Sequence, residues 1–250
     1  MKDNIKKILF LSLNILIVLG LLFLLGFSKK RLSKKPCEER TIYIKSKNNN
    51  SFVEEKDVYR ILESFDSSGF KGREYTDIDI LNLEQRITSL NEVEKAQIYL
   101  SSNGHLNIAL ETRTPILRVI NMEGVSYYID EKGKSMPFSN KFTSKVIVAN
   151  GYIGGEDSEV VENLILLVRA IGKNEFFSRK VQQIFVNEEG EFELVTLLGS
   201  HVVLLGSLER LNEKLDNLEA FYRRSTDLVD LERYKLVNLK YSDQIVCKKF

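Results

Sequence analysis

The chain is poor in the residue types that most often build reactive centres. Its 250 residues include no tryptophan, two histidines and two cysteines. His105 and His201 have no partner at the spacing of a metal site, so we expect both to be ordinary surface or turn residues. Cys37 and Cys247 lie near opposite ends of the polar part of the chain. Free thiols are therefore favoured, although an oxidising compartment would permit a disulfide.

Catalytic sequence patterns are also missing. No Ser/His/Asp, Cys/His or zinc-type arrangement can be assembled from neighbouring motifs. The one glycine-rich stretch, residues 151–155, lacks the spacing of a dinucleotide or phosphate loop, and we interpret it as an interdomain-type turn. We therefore predict a binding protein with no enzymatic activity, no cofactor, no metal and no small-molecule substrate.

An excess of charge of either sign is absent as well. The 36 basic and 35 acidic residues leave a net charge of +1. The basic residues cluster only at 29–35, directly after an apolar stretch, where they suit lipid headgroups better than nucleic acid. The sequence gives no reason to expect a nucleic-acid partner.

A long apolar run is present near the N-terminus. Residues 8–28 contain no charged side chain, and as a helix they would span roughly 31 Å, the thickness of a bilayer core. Only Ser12, Asn14 and Ser28 interrupt the run, so it has no polar face. We predict a short tail at 1–7, a transmembrane helix at 8–28 and a basic linker at 29–40. A cleaved signal peptide is the alternative, but the run is long for one and lacks an A-x-A site.

The flanking charges do not settle the orientation of this predicted helix. Three lysines precede it and five basic residues follow it, which points the C-terminal body into the cytoplasm. Long domains, however, cross the membrane largely regardless of flanking charge. The residues alone leave both orientations open.

The polar body begins with a strand, two helices and two strands. Helical spacing of apolar residues predicts the helices, and apolar–polar alternation around a Ser-Asn-Gly turn predicts a hairpin. Asp79 is a suitable N-cap for the second helix. The predicted elements are strand 41–45, a polar turn at 48–51, helices 54–65 and 79–90, and strands 93–100 and 106–110.

After Pro115 the pattern becomes rich in strands. Two helices interrupt it, one with apolar residues from Val161 to Ile171 and a predicted end at Gly172, the other with an apolar ridge from Leu208 to Phe221. We predict a mainly antiparallel sheet with two packed helices. Its predicted elements are strands 127–130, 145–149, 181–186, 191–197, 202–205, 234–241 and 244–248, and helices 158–171 and 207–222.

The order and spacing of these elements resemble the FtsQ/DivIB family of bacterial cell-division proteins. The first domain is similar to a POTRA domain. Thr112 departs from the pattern, because many members carry a glutamate there, and any role of that acid should not be transferred. The matching stretches are 90–93, Ala96, Ile98, 106–110, 115–116, 128–130 with Gly133, 136–138, 183–186 with Gly190, 192–194, 203–206, the leucines at 211, 215 and 218, and 239–241.

The resemblance implies an α+β protein. A single transmembrane helix would be followed by a POTRA-like β-α-α-β-β domain at 41–115 and a β-domain at 116–250. It also implies a non-catalytic divisome scaffold in the cytoplasmic membrane at the septum, with its bulk outside the cytoplasm. Expected partners are coiled-coil membrane proteins of the FtsB/FtsL type and other divisome components, through which the scaffold helps to control septal peptidoglycan synthesis.

The residues themselves indicate a physical route to such binding. The last strand should lie at an open sheet edge, where unpaired backbone groups can accept a partner strand, although Lys248 and Lys249 are charges that discourage pairing. Proline at Val246, or deletion after Tyr241, should then abolish binding. The strand at 93–100 would offer a second edge. The predicted partner-binding residues are Tyr241, Gln244, Ile245, Val246, Cys247 and Lys248.

Two other function classes remain as alternatives. A membrane-anchored POTRA-type module for protein assembly or transport would usually contain several such domains or a long alternating barrel region. A wall-modifying enzyme should show a cleft with converging titratable groups, which the scarcity of histidine disfavours.

Overall fold

The computed structural model describes residues 13–24, 36–46, 52–101, 103–139, 141–224, 231–242 and 244–250. The chain forms two compact units. The first comprises Met1–Lys45 and Val53–Thr112, and the second comprises Ser46–Phe52 and Arg113–Phe250. The predicted first domain, 41–115, thus includes a segment, Ser46–Phe52, that the structure groups with the second unit.

The described part of the apolar N-terminal run is helical. Helix α1 covers residues 13–24, and its side chains are exposed. Residues 8–12 and 25–28 of the predicted span lie outside the described part of the chain. Within that part, no helix is both long enough and apolar enough to cross a bilayer. The transmembrane helix therefore stays a prediction.

The first unit has the predicted β-α-α-β-β order. Its sheet has the strand order β1-β3-β2, with β1 parallel and β2 antiparallel to β3. Asp79 caps α3 as expected, because its side chain accepts a hydrogen bond from the Asn82 N–H. The elements are β1 (Glu39–Lys45), α2 (Glu55–Phe65), α3 (Ile80–Thr88), β2 (Val93–Leu100) and β3 (His105–Thr112).

The helices and the sheet of this unit share one core. Val58 and Leu62 of α2 are fully buried, as are Leu83 and Ile87 of α3, and they cluster with Ile108 of the central strand. These four helical residues follow the 3.6-residue period from which both helices were predicted. Burial of one apolar stripe per helix therefore accounts for the fold of this unit.

The second unit is built on one nine-stranded sheet. The strand order is β12-β11-β10-β9-β8-β7-β4-β5-β6, and five of its eight pairings are antiparallel, which confirms the predicted sheet type. The elements are β4 (Pro115–Ile120), β5 (Ser126–Asp130), β6 (Ser135–Pro137), β7 (Ile147–Gly151), α4 (Glu159–Lys173), β8 (Val181–Val186), β9 (Phe192–Thr196), β10 (Val202–Gly206), α5 (Leu211–Arg224), β11 (Tyr234–Asn238) and β12 (Val246–Lys249).

Two clusters of buried residues stabilise this sheet. Leu164 and Leu167 of α4 and Leu218 of α5 are fully buried in a large cluster with the inward residues of most strands. A smaller cluster contains Phe52, Tyr128 and Met136, in which the rings of Phe52 and Tyr128 meet edge to face with centroids 5.6 Å apart. Phe52 thus supplies a core residue to the second unit from far upstream in the sequence.

Three predictions for the second unit are wrong. Gly172 does not end α4, because the helix continues to Lys173 and its C-cap is Asn174. Residues 151–155 do not connect domains, since they begin at the last residue of β7 and lie inside the second unit. His201 is not a surface residue. It is 1% exposed, and its Nε2 lies 2.8 Å from the Tyr222 hydroxyl.

Candidate partner-binding edge

Strand β12 forms one end of the nine-stranded sheet, and we call this strand the C-terminal edge. It runs antiparallel to β11 and pairs Asn238 with Val246, Val237 with Cys247 and Leu236 with Lys248. Among the described residues, no strand pairs with its other side. The predicted last strand therefore lies at a sheet edge.

Two hydrogen bonds determine which backbone groups of β12 face outward. The Phe250 N–H donates to the Arg233 carbonyl at 3.3 Å, and the Leu239 N–H donates away from β12, to Leu204 of β10, at 2.9 Å. Successive residues of an antiparallel pair alternate between hydrogen-bonded and non-hydrogen-bonded positions. Val246 and Lys248 therefore direct their backbone groups to β11, whereas Cys247 directs its own away from the sheet.

The side chains of β12 alternate between the two faces of the sheet. Ile245 and Cys247 pack against the large core cluster, and burial raises the pKa of the Cys247 thiol. Val246 lies on the opposite face and is 42% exposed. A partner strand would thus meet a fixed backbone, because the inward side chains hold β12 on the sheet.

Exposed apolar residues flank the C-terminal edge. Tyr241, before the strand, is 54% exposed, and Phe250, after it, is 79% exposed. Gln244 is exposed as well. Lys248 and Lys249 are exposed, and no described residue forms an ion pair with either one. The edge therefore combines open hydrogen-bonding groups, apolar contacts and positive charge, which favours an apolar partner strand carrying carboxylates.

The structure adds two residues to the predicted partner-binding set. It also changes what a proline substitution at Val246 would test. Lys249 belongs to β12, and the Phe250 N–H donates to the carbonyl of Arg233, the residue before β11. The apolar–polar alternation stops at the two lysines, Lys248 and Lys249, so the sequence pattern does not reveal either addition. Proline at Val246 would remove an N–H that faces β11, so that substitution would disturb the sheet itself and is a poor test of partner binding.

The opposite end of the same sheet is protected. Strand β6 has only three residues and ends in Pro137, which has no N–H to offer. Very short strands and prolines are common devices that prevent pairing between sheet edges. Among the described strands, β12 thus ends the sheet without such protection, whereas β6 has features that discourage pairing.

The second predicted edge, β2 in the first unit, is partly occupied. It lies at one end of the order β1-β3-β2, and Tyr99 on it is 49% exposed. The Ile98 N–H, however, already donates to the Glu84 carboxylate at 2.7 Å. This bond reduces the groups that β2 can offer to another strand.

Comparison with protein-family models gives one match for each of the two units. The model described as FtsQ/DivIB, C-terminal related, matches residues 114–248, which is more than half of the chain. The model of the POTRA-like domain matches residues 35–111. No curated protein shows significant similarity to the chain. The chain belongs to the FtsQ/DivIB-related family of cell-division proteins, and its first unit is a POTRA-like domain.

Proposed function

We propose that this protein is a non-catalytic divisome scaffold that binds a coiled-coil membrane protein of the FtsB/FtsL type by strand addition at the C-terminal edge. The observation that carries the proposal is the position of β12 at the end of the sheet, with Cys247 directing its N–H and C=O outward. Strand addition uses such groups for affinity and the flanking side chains for specificity.

The expected contacts follow from the residues around the edge. A partner strand beside β12 would gain hydrogen bonds to Cys247 and apolar contact with Tyr241 and Phe250, which are largely exposed in the free protein. Carboxylates on the partner would face Lys248 and Lys249. Membership of the family supports a role in cell division, and the control of septal peptidoglycan synthesis is part of the proposal.

We further propose that residues 8–28 anchor the protein in the cytoplasmic membrane at the septum, with both units outside the cytoplasm. The absence of charge over these 21 residues supports an anchor, and the family supports this orientation. Such an anchor would keep the C-terminal edge close to partners that are themselves membrane proteins.

The decisive experiment removes the outward N–H of residue 247 by substituting proline for Cys247. Cys247→Pro should weaken binding of a purified FtsB-type partner by roughly tenfold or more, because one partner carbonyl loses its donor. Proline is tolerated on an edge strand where the N–H faces solvent, so the variant should still fold. Its melting temperature measures the cost of losing the Cys247 side chain, which packs against the core cluster. Cys247→Val is the matched control, since it keeps the N–H and should bind normally.

Two outcomes separate the parts of this proposal. Full binding by a correctly folded Cys247→Pro variant, and by a chain truncated after Tyr241, would show that the C-terminal edge is not the site. Depletion of the protein in its own bacterium tests the division role independently. Filaments with blocked septa are expected, and normal septation would exclude that role.

A further inference from the structure

A second surface of the β-domain, separate from the C-terminal edge, has the features of a recognition groove. It lies between the C-terminal half of α4 and the N-terminal ends of β7 and β8, and its volume is about 940 Å³. Its walls include Ile147, Val168 and Ile171. In the strand order, β7 lies five positions from β12, so the groove and the C-terminal edge are different places on the sheet.

The charged residues that line this groove all have the same sign. They are Lys145, Arg169 and Arg179, and no acidic residue in the described part of the chain lines the groove, although the sequence contains 35 of them. All three side chains are exposed, and no described residue forms an ion pair with any of them. Arg169 instead donates to the backbone carbonyl of Glu131 at 2.9 Å. Three positive charges thus lie beside an apolar wall, with no carboxylate partner among the residues that the structure describes.

Gly172 is the second unusual feature of the groove. It lies inside α4, near the end of the helix, and a Cβ added there would meet no atom within 4 Å. Glycine within a helix is less stable than alanine by roughly 0.5–1 kcal/mol. Nothing in the described structure requires the missing side chain, and Gly172 forms part of the groove wall. A bare backbone at this point allows another chain to approach closely.

We propose that this groove binds an acidic amphipathic segment of another polypeptide. Apolar side chains of the segment would contact Ile147 and Ile171, and its carboxylates would face Lys145, Arg169 and Arg179. The charges come from three different parts of the fold: the segment before β7, helix α4 and the α4–β8 connection. This distribution suits an extended partner with several carboxylates better than one compact anion.

The test uses the full-length chain in a non-ionic detergent and a displayed library of random 16-residue peptides. We expect selection of peptides that combine carboxylates with apolar residues. Their affinity should fall by roughly tenfold or more in the Arg169→Glu/Arg179→Glu variant, because two attractive charges become repulsive. Gly172→Leu should weaken the same peptides by filling the groove. Lys173→Glu, an exposed residue of α4 that does not line the groove, is the matched control and should bind normally.

The remaining outcomes overturn the proposal. Failure to select any peptide, or selection of peptides indifferent to both groove variants, would remove the groove as a peptide site. Dihexanoylphosphatidylglycerol, used as a soluble lipid probe, should not compete with the peptides; binding of this lipid that displaces them would assign the surface to a membrane headgroup. Circular dichroism confirms that each variant is folded. Cys247→Pro should leave peptide binding intact, so failure here and failure of the C-terminal edge can be told apart.

Discussion

The Glu84 carboxylate of α3 accepts a hydrogen bond from the backbone N–H of Ile98 in β2, at 2.7 Å. Ile98 lies on an edge strand, so this N–H would otherwise face solvent or a partner. A side chain from the helix layer thus occupies a backbone donor of the sheet layer. The two edges proposed from the sequence are therefore unequal. An N–H of β2 has a partner within its own unit, whereas no described strand pairs with the outer side of β12.

Removal of the Glu84 side chain should make β2 more prone to pair with a strand of another molecule. Glu84→Ala is expected to lower the free energy of unfolding by about 1 kcal/mol and to increase self-association, because an edge donor becomes available. Glu84→Gln keeps an acceptor oxygen and is the control. Urea denaturation and analytical ultracentrifugation measure the two effects. A Glu84→Ala protein that is as stable and as monomeric as the wild type would contradict the prediction.

The buried ion pair of the second unit should matter far more than an exposed one. Arg113 Nε lies 2.8 Å from Asp130 Oδ2, and the two side chains are 13% and 4% exposed. Asp130 also accepts hydrogen bonds from the backbone N–H groups of Lys132 and Lys134. Asp130→Ala should therefore cost about 3 kcal/mol in the free energy of unfolding, since it removes the carboxylate that pairs with a largely buried guanidinium.

The ion pair between Lys45 and Glu111 is the exposed counterpart of the buried pair between Arg113 and Asp130. Its nitrogen and oxygen are 2.9 Å apart, but the side chains are 79% and 48% exposed. Lys45→Ala should cost less than about 1 kcal/mol. Equal effects of Lys45→Ala and Asp130→Ala in urea denaturation would show that burial does not set the strength of these pairs.

Stability should depend on pH through His201. Desolvation by burial lowers the pKa of this imidazole below its ordinary value, and burial raises the pKa of the neighbouring Tyr222 to about 12, so both groups are neutral near pH 7. Protonation of His201 therefore favours the unfolded chain. The contribution of neutral His201 to the free energy of unfolding is complete above about pH 6.5, the ordinary pKa of histidine. This contribution is lost as the pH falls toward the lower pKa of the folded state.

His201→Gln provides the measurement, because glutamine keeps a polar group near Tyr222 and does not titrate. The difference in unfolding free energy between wild type and variant should shrink as the pH falls from 7 to 5. Carboxylates titrate in both proteins and cancel in the difference. A difference that stays constant across this range would contradict the assignment.

Gly172→Ala should stabilise the protein. A Cβ at this position meets nothing within 4 Å, and the residue is helical. The expected gain in unfolding free energy is about 0.5–1 kcal/mol, because alanine loses less backbone entropy on folding. Gly151→Ala is the opposite case, since its Cβ would lie 2.2 Å from the Val186 carbonyl oxygen and its φ is +103°, so it should destabilise. Thermal unfolding compares the two variants, and a loss of stability in Gly172→Ala would contradict the prediction.

The sequence predicts the local elements well, because each helix and strand buries one apolar stripe. The spacing of Leu83 and Ile87, for example, is enough to place α3. Long-range pairing is different. Nothing local shows that β4 lies between β7 and β5, or that Phe52 joins the core around Tyr128. The polar turn predicted at 48–51 lies outside the described residues.

The candidate site also has features that the local sequence predicts and features that depend on long-range pairing. Chain order alone predicts a final strand, but the outward direction of the Cys247 backbone depends on its register with β11. His201 was misjudged because a polar residue beside Gly199 and Ser200 is typical of a turn. Its burial comes from Tyr222, which lies on a helix about twenty residues later. Contacts between distant elements, and not local preference, determine both features.

The short strand β6, with Pro137 at its end, has a consequence for stoichiometry. A sheet that could be extended at both ends would allow one copy to dock on the next and grow into a fibre. Among the described strands of this sheet, only β12 leaves an open margin. We therefore expect the proposed strand addition to take up one partner strand per protein and not to link copies in series.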